Sequence, residues 1–320
     1  MLKAGIDIGF GDVKAVFSDN RKIKFPTAIV RDPGGAFNVS TGKEEGFHNY
    51  NGSNYYVGKT ALHMGQTYST RSMEFMENFT PLLVHVALEK AGFINSEVKH
   101  LSIGLQLGKS NAVGKAFLLK KIEEGVVDGK KLGFEHVEVI PQGVGILLDS
   151  RFNWQGQELV GAGINTLVVD IGFNTVDVLV AIDGQPKKGR SEMLERSGIS
   201  WICERLIARV KERTGSGLTE QQAKNALLNG YVEMYGKKID LGLDIKEISN
   251  GYAEWLHSEL RSRWEEQMAQ FPRIILAGGG AHIVKPYMPH YMQNIITPAE
   301  PEFANARGFF KWLQVQKKAA

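Results

Sequence analysis

Gly5-Ile6-Asp7-Ile8-Gly9-Phe10-Gly11-Asp12-Val13-Lys14 and Val168-Val169-Asp170-Ile171-Gly172-Phe173-Asn174-Thr175-Val176-Asp177 are near-copies of each other, about half a chain apart. Each is an apolar strand that runs into Asp-Ile-Gly-Phe, turns, and resumes as an apolar strand. Glycine in such a turn lets backbone N–H groups point at an anion, because no Cβ blocks the approach. An aspartate beside it can hold Mg²⁺ through water and offset phosphate charge. One Asp-x-Gly is only a turn signal; two copies in the same strand context predict two phosphate-binding hairpins facing each other across a cleft.

Working outward, residues 2–9 and 12–18 read as strands, and Lys22 to Val30 as a third. Residues 36–58 read as a loop and then a short strand or hairpin. Asn78 to Ala91 carries a helical apolar face closed by Gly92. Strands follow at 100–105 and 137–140, and helices at 113–124 and from Gly143. The second half repeats the plan: strands at 167–170 and 176–182, an Asp183-Gly184 hairpin turn, and helices at 198–211, 219–229 and 245–269. Arg273–Ala277 is a buried strand, and Gly308 to Val315 a last helix. Alternating strands and helices with a weak long-period duplication predict an α/β chain of two related domains.

Composition agrees. The 320 residues exceed one small core, and 43% hydrophobic with 23% charged residues is globular. A net charge of +3, from 38 basic against 35 acidic residues, gives no electrostatic case for direct nucleic-acid contact or a basic membrane patch. No apolar run is long enough to span a membrane, and the first residues start a strand rather than a secretory signal. These features lead us to expect a cytoplasmic protein. Cys203, the only cysteine, sits in an apolar helical pattern and reads as a buried structural thiol. The eight histidines show no metal-ligand spacing in sequence, so no structural zinc is expected, and His136 reads as an ordinary, partly buried histidine.

A third element is Ile274-Ile275-Leu276-Ala277-Gly278-Gly279-Gly280-Ala281, a strand ending in three glycines that open a helix. Such a turn permits close backbone approach, either to a neighbouring strand or to a nucleotide's ribose and base. With it, the pattern resembles the actin, sugar-kinase and heat-shock-chaperone ATPase superfamily. Asp7-x-Gly9-x-Gly11-x-x-Lys14 is similar to that superfamily's first phosphate segment, 170–177 to its second, and 277–281 to its adenosine segment, in the family's order and over nearly the whole chain. Within it the chain resembles the ParM and StbA plasmid-segregation group, through Glu138-Val139-Ile140-Pro141-Gln142-Gly143 and the box Glu302-Phe303-Ala304-Asn305-Ala306-Arg307-Gly308.

The resemblance implies an actin-like (ribonuclease H-like) fold, with one domain over 1–158 plus a C-terminal helix at 303–320, and a second over 159–302. It implies ATP, or GTP, with Mg²⁺. Asp7 and Asp170 would hold the Mg²⁺ through water, and Lys14 would neutralise β/γ-phosphate charge. Gly9, Phe10, Gly11, Gly172, Asn174 and Thr175 would line the phosphates. Gly278, Gly279 and Gly280 would pack on the adenosine, with Glu204 as a further ribose or base contact. Glu138 is the first candidate for orienting the attacking water; Gln142 is the alternative, since a neutral amide positions water without taking its proton.

The function implied is an actin-like ATPase whose nucleotide state controls a head-to-tail filament of identical subunits. In the ParM group such a filament moves plasmid DNA through a DNA-bound adaptor of the ParR type. A metabolic kinase of the same superfamily would need a substrate insertion that the sequence does not offer. The short, polar 314–320 tail argues against membrane recruitment, and a peptide-binding chaperone domain is not expected. The loops of 31–76, with Tyr55, Tyr56 and Arg71, are candidates for subunit contacts.

Overall fold

The computed structural model describes residues 1–319 except 33, 35–44, 65–67, 69–72, 96, 160, 162, 290 and 291. Arg71 therefore lies outside the described residues. The chain divides into two compact units: residues 1–162 with 303–320, and residues 163–302.

The first unit starts with β1 (Leu2–Ile8), β2 (Asp12–Phe17) and β3 (Lys22–Pro26). β4 (Ile29–Arg31), β5 (Phe47–Tyr50), β6 (Ser53–Val57) and α1 (Lys59–Met64) follow. Next come α2 (Met73–Lys90), β7 (Val98–Leu105), α3 (Ala112–Glu124), β8 (Val126–Val127) and β9 (Lys130–Lys131). β10 (His136–Pro141) and α4 (Val144–Arg151) complete the series before the C-terminal helix Ala304–Ala319 returns to this unit. The main sheet has the order β10-β7-β1-β2-β3, and a smaller sheet the order β4-β6-β5-β8-β9. β1 pairs antiparallel with β2 and parallel with β7.

The single strand expected over 22–30 is instead two strands in different sheets. Pro26 has no N–H to continue a ladder. Thr27 N–H then turns to the Gly11 carbonyl at 3.2 Å, and Ala28 N–H folds back to the Pro26 carbonyl at 2.8 Å. The hairpin foreseen near residue 55 is β5–β6, turned by Asn51 and Gly52, both at positive φ. The helix read from residue 78 begins at Met73 and carries Pro81 inside it.

The C-terminal helix begins at Ala304 rather than Gly308 and lies against the main sheet because the facing residues are small. A Cβ on Gly5 would overlap the Ala306 carbonyl, and one on Gly308 the Gly145 carbonyl of α4. Buried Lys3 donates to the Leu313 carbonyl at 2.6 Å. Arg307 holds Asp149 of α4 through Nε at 2.9 Å and Nη2 at 2.6 Å. The Phe-Ala-Asn-Ala-Arg-Gly box is therefore a packing device. Alanine and glycine let the backbones approach, and the two polar residues tie the helix to α4.

The second unit contains β11 (Thr166–Ile171), β12 (Val176–Ile182), β13 (Gln185–Pro186), β14 (Glu192–Leu194), α5 (Ser200–Thr214) and α6 (Glu220–Asn229). β15 (Tyr231–Met234), β16 (Lys237–Asp240), α7 (Gly242–Gln270), β17 (Arg273–Ala277), α8 (Ala281–Val284) and β18 (Ile295–Ile296) follow. Its main sheet runs β13-β12-β11-β17-β18, with β14 also on β12. The β11–β12 hairpin has a parallel neighbour in β17, as β1–β2 has in β7. Both units thus place an Asp-Ile-Gly-Phe turn at the end of the same strand arrangement. Helices α5 and α7 bury Ile202, Leu206, Tyr252 and Leu256 over the sheet, and Cys203 is fully buried among them. The β15–β16 hairpin, turned by Tyr235 and Gly236 at positive φ, was not evident from the sequence.

Candidate functional site

In the first unit the ladder sets Asp7 directly opposite Lys14. Their side chains share one face, with Lys14 Nζ 3.7 Å from Asp7 Oδ2. Asp7 is 4% exposed, so this carboxylate is desolvated and needs hydrogen bonds. Gln142 supplies one: its Nε2 donates to Asp7 Oδ1 at 2.7 Å and also approaches the Ile8 carbonyl at 3.4 Å. Both partners are pure acceptors, which fixes the amide orientation and leaves Gln142 Oε1 as the atom able to accept from water.

Gln142 reaches Asp7 because β10 continues past Pro141, and Gln142 N–H bonds the Leu105 carbonyl at 2.8 Å. Gly143 then turns at φ 81° into α4, and its N–H is held by Asn305 Oδ1 at 3.0 Å. Thr27 secures the first turn from behind. Its Oγ1 donates to the Gly9 carbonyl at 2.7 Å while its N–H takes the Gly11 carbonyl. Among the described residues, Phe10 N–H has no backbone acceptor. A Cβ on Gly9 would stand 3.0 Å from Lys14 Nζ, so glycine there keeps the ammonium unobstructed.

Glu138 sits elsewhere. It pairs in register with Ser102, and its Oε1 accepts from Trp312 Nε1 of the C-terminal helix at 2.9 Å. His136 Nε2 lies 3.7 Å from its other oxygen. Of the two water-orienting candidates, Gln142 contacts Asp7 and Glu138 is tied to the C-terminal helix.

In the second unit Asp170 is paired with Asp177, at the ladder position that Lys14 holds in the first. Both are buried. Two carboxylates opposed on one sheet face are a donor set for a hard cation such as Mg²⁺. The turn after Asp170 is held by its carbonyls. Those of Gly172, Phe173 and Asn174 accept from N–H groups of Ile199, Ser200 and Gly198, at 3.1, 2.7 and 3.2 Å. Gly198 is needed for this approach, since a Cβ would overlap the Phe173 and Gly172 carbonyls. With the carbonyls drawn to α5, the N–H groups of Phe173, Asn174 and Thr175 have no backbone acceptor among the described residues. Successive free amides of this kind form a concavity that suits an anion. Asn174 Oδ1 is buried there without a hydrogen bond.

Tyr252 steadies the start of α5 by donating its hydroxyl to the Ser197 carbonyl at 2.5 Å, and burial pushes its phenol well above the usual range, so it stays protonated. Lys224 of α6 lies 5.5 Å from the Phe173 ring. Thr27, Asp177, Gly198 and Lys224 are the members of these turns that sequence reasoning did not assign; the carbonyl pairings that involve Thr27 and Gly198 exist only in the fold.

The three glycines after β17 divide in role. Gly278, at φ +83°, and Gly280 pack on the second turn, where a Cβ on either would overlap Ile171. Gly278 N–H donates to the Pro301 carbonyl and Gly280 N–H to the Ile171 carbonyl. Gly279 alone is exposed, with nothing within 4 Å of a built Cβ. Glu204 is exposed on the first turns of α5.

Two duplicated α/β units, each ending in a glycine turn beside a buried aspartate, define the class: the chain belongs to the actin-like ATPase superfamily. The family model for actin-like proteins, N-terminal domain, matches residues 5–145, and that for the archaeal actin homologue MreB-like, C-terminal, matches residues 168–289. The chain is similar to an archaeal actin homologue of Thermoplasma acidophilum, 22% identical over 331 residues that cover 97% of this chain and 98% of the relative. Among solved structures it is similar to an archaeal actin homologue in complex with ADP (TM-score 0.77, 20% identity, 98% and 99% of the two chains). It is also similar to a ParM from a 15-stranded filament of Clostridium botulinum (TM-score 0.72, 21% identity, 97% and 98%). The fold is actin-like.

Proposed function

We propose that this chain binds a nucleoside triphosphate with Mg²⁺ through both glycine turns, hydrolyses it, and uses the nucleotide state to control a head-to-tail filament. The observation that carries the reading is the Asp7–Gln142–Lys14 constellation beside the first turn. It contains a cation, a buried carboxylate and an amide oxygen aimed away from both. Lys14 offsets phosphate charge, and the turn amides orient the phosphates. Gln142 Oε1 accepts a hydrogen bond from the attacking water and aligns it without taking its proton. Asp7, Asp170 and Asp177 are the oxygen donors that suit Mg²⁺, directly or through water; the bound ion supplies charge neutralisation at the phosphates.

The fit to these groups rests on the second turn, whose carbonyls are engaged by α5 and whose amides remain for an anion. Relatives described with ADP, ATP and AMPPNP support a nucleotide ligand, and the ParM filament supports self-assembly. We assign the two units as the two actin-like domains, with the boundary in the segment around residues 159–163.

Plasmid segregation through a ParR-type adaptor is one cellular reading. The likeness to archaeal actin homologues and the MreB-like model favour a second, a cytoskeletal filament working without a plasmid. The described helices include none long and apolar enough to cross a membrane, and we place the protein in the cytoplasm.

Right-angle light scattering with simultaneous phosphate release tests the proposal. Scattering should rise above a threshold protein concentration with Mg²⁺ and ATP or GTP, decay as phosphate appears, and persist with a non-hydrolysable analogue. Phosphate release without any scattering would remove the filament and leave a monomeric hydrolase. Loss of less than about tenfold in Asp170→Ala would remove that residue from the site.

A further inference from the structure

The smaller sheet of the first unit carries a second cluster of chemistry, remote in sequence from both glycine turns. β5 contributes His48, α2 contributes His85, and the β8–β9 turn contributes Asp128, with one ligand atom from each within 4.8 Å of the others. His48 Nδ1 is 3.0 Å from Asp128 Oδ2, and His85 Nε2 is 3.6 Å from the same oxygen. Three donors on one tetrahedral zinc stand about 3.3 Å apart, given Zn–N and Zn–O bonds near 2.0–2.1 Å.

The donor geometry points to a cation. Asn95 uses its amide N–H to reach the Lys131 carbonyl at 3.4 Å, so its oxygen faces His85 Nδ1, at 2.8 Å. His85 Nδ1 therefore carries that ring's proton, and its Nε2 turns a lone pair toward Asp128. His48 is 1% exposed and also faces carboxylates from both nitrogens: Asp128 from Nδ1, and Glu89 Oε2 from Nε2 at 3.4 Å. Its Nε2 is buried with no hydrogen bond. Asp128 Oδ2 thus faces the His85 Nε2 lone pair at 3.6 Å and His48 Nδ1 at 3.0 Å. A divalent ion bound at that oxygen would satisfy both contacts and leave His48 Nε2 to donate toward Glu89.

We propose that His48, His85 and Asp128 form a zinc site that ties β5, α2 and the β8–β9 turn together. His48 ligates through Nδ1 and His85 through Nε2, with Asp128 Oδ2 as the third donor. Imidazole nitrogens with one carboxylate suit Zn²⁺ over Mg²⁺ or Ca²⁺. Two of the ligands are held by outer partners: His85 by Asn95, and Asp128 by Asn49 N–H, which donates to Oδ1 at 2.7 Å; Glu89 lies 3.4 Å from His48 Nε2. The Asp128 and Glu89 side chains are partly exposed, so solvent reaches the cluster from that side. Sequence spacing gave no sign of the site because the three ligands come from three separate elements.

The test is direct titration of the untagged, chelator-treated full chain with Zn²⁺ and with Co²⁺, using calorimetry, visible absorption of the cobalt form and thermal unfolding. About one equivalent should bind, at micromolar affinity or tighter, with tetrahedral Co²⁺ bands and a raised unfolding temperature, and excess Mg²⁺ should not compete. Asp128→Asn is the diagnostic variant. Asp128 has φ 52°, a conformation asparagine accepts, so the turn survives while the anionic ligand is lost. Zinc affinity should fall about 10–100-fold in it, and His85→Gln should abolish the cobalt bands. Absence of saturable binding to the wild-type chain below about 100 μM, or equal affinity in folded Asp128→Asn, would overturn the site.

Discussion

Gln142 Nε2 donates to Asp7 Oδ1 at 2.7 Å, joining the end of β10 to the end of β1 across β7. On the proposed function, this contact makes the amide, rather than a carboxylate, the group that aligns water. Gln142→Ala should lower the rate of phosphate release by about 10²-fold. Nucleotide affinity should stay near wild type, because the turn amides and Lys14 are untouched. Single-turnover hydrolysis alongside binding of a fluorescent nucleotide separates the two effects.

Glu138 gives the complementary prediction. Its carboxylate accepts from Trp312, so Glu138→Gln should cost about 1 kcal/mol of stability or less through that bond. Hydrolysis should remain within about twofold of wild type, on the same scale that makes an alignment residue worth about 10²-fold. A large rate loss with an intact fold would restore Glu138 as the water-orienting group.

Among the described residues, the buried Thr27 hydroxyl holds the Gly9 carbonyl. Thr27→Val keeps the shape and removes the donor. We expect a loss of about 1–2 kcal/mol in denaturant unfolding. Nucleotide affinity should weaken as well, since the first turn is then free to rotate. Thr27→Ser should restore both.

The triple glycine offers a contrast within one turn. Gly280→Ala would push into Ile171 and Ile199 and should destabilise by about 1–3 kcal/mol. Gly279→Ala meets nothing within 4 Å and should change stability by about 0.5 kcal/mol or less. Any nucleotide effect of Gly279→Ala, measured at unchanged stability, then reports on ligand approach alone.

Asp149 is buried under Arg307 and Lys311. Removing its charge leaves two buried cations with a poorer partner. Asp149→Asn should cost about 3–5 kcal/mol, seen as a lower thermal midpoint. Release of the C-terminal helix should accompany it, detectable as faster amide exchange across 304–316.

The sequence alone determined the two hairpins, the repeated α/β plan, the family and most of the residues that form the two glycine turns. Those signals are local: an apolar strand, a glycine turn and an adjacent aspartate lie within ten residues, and backbone geometry acts at that range. It also led to Asp7, Lys14 and Gln142 as candidates, but left Gln142 and Glu138 as competing choices. Only the tertiary structure separated their surroundings, with Gln142 on Asp7 and Glu138 on Trp312, because those contacts depend on how β10 lies beside β7 and under the C-terminal helix. The same holds for Thr27 behind the first turn, the opposed Asp170 and Asp177, and the buried faces of Gly278 and Gly280. The His48–His85–Asp128 cluster is the extreme case, since its three side chains meet only when a strand, a helix and a turn pack together. Strand and turn formation are set by neighbouring residues; desolvated polar contacts are set by whatever the fold brings within three or four ångströms, which spacing along the chain does not encode.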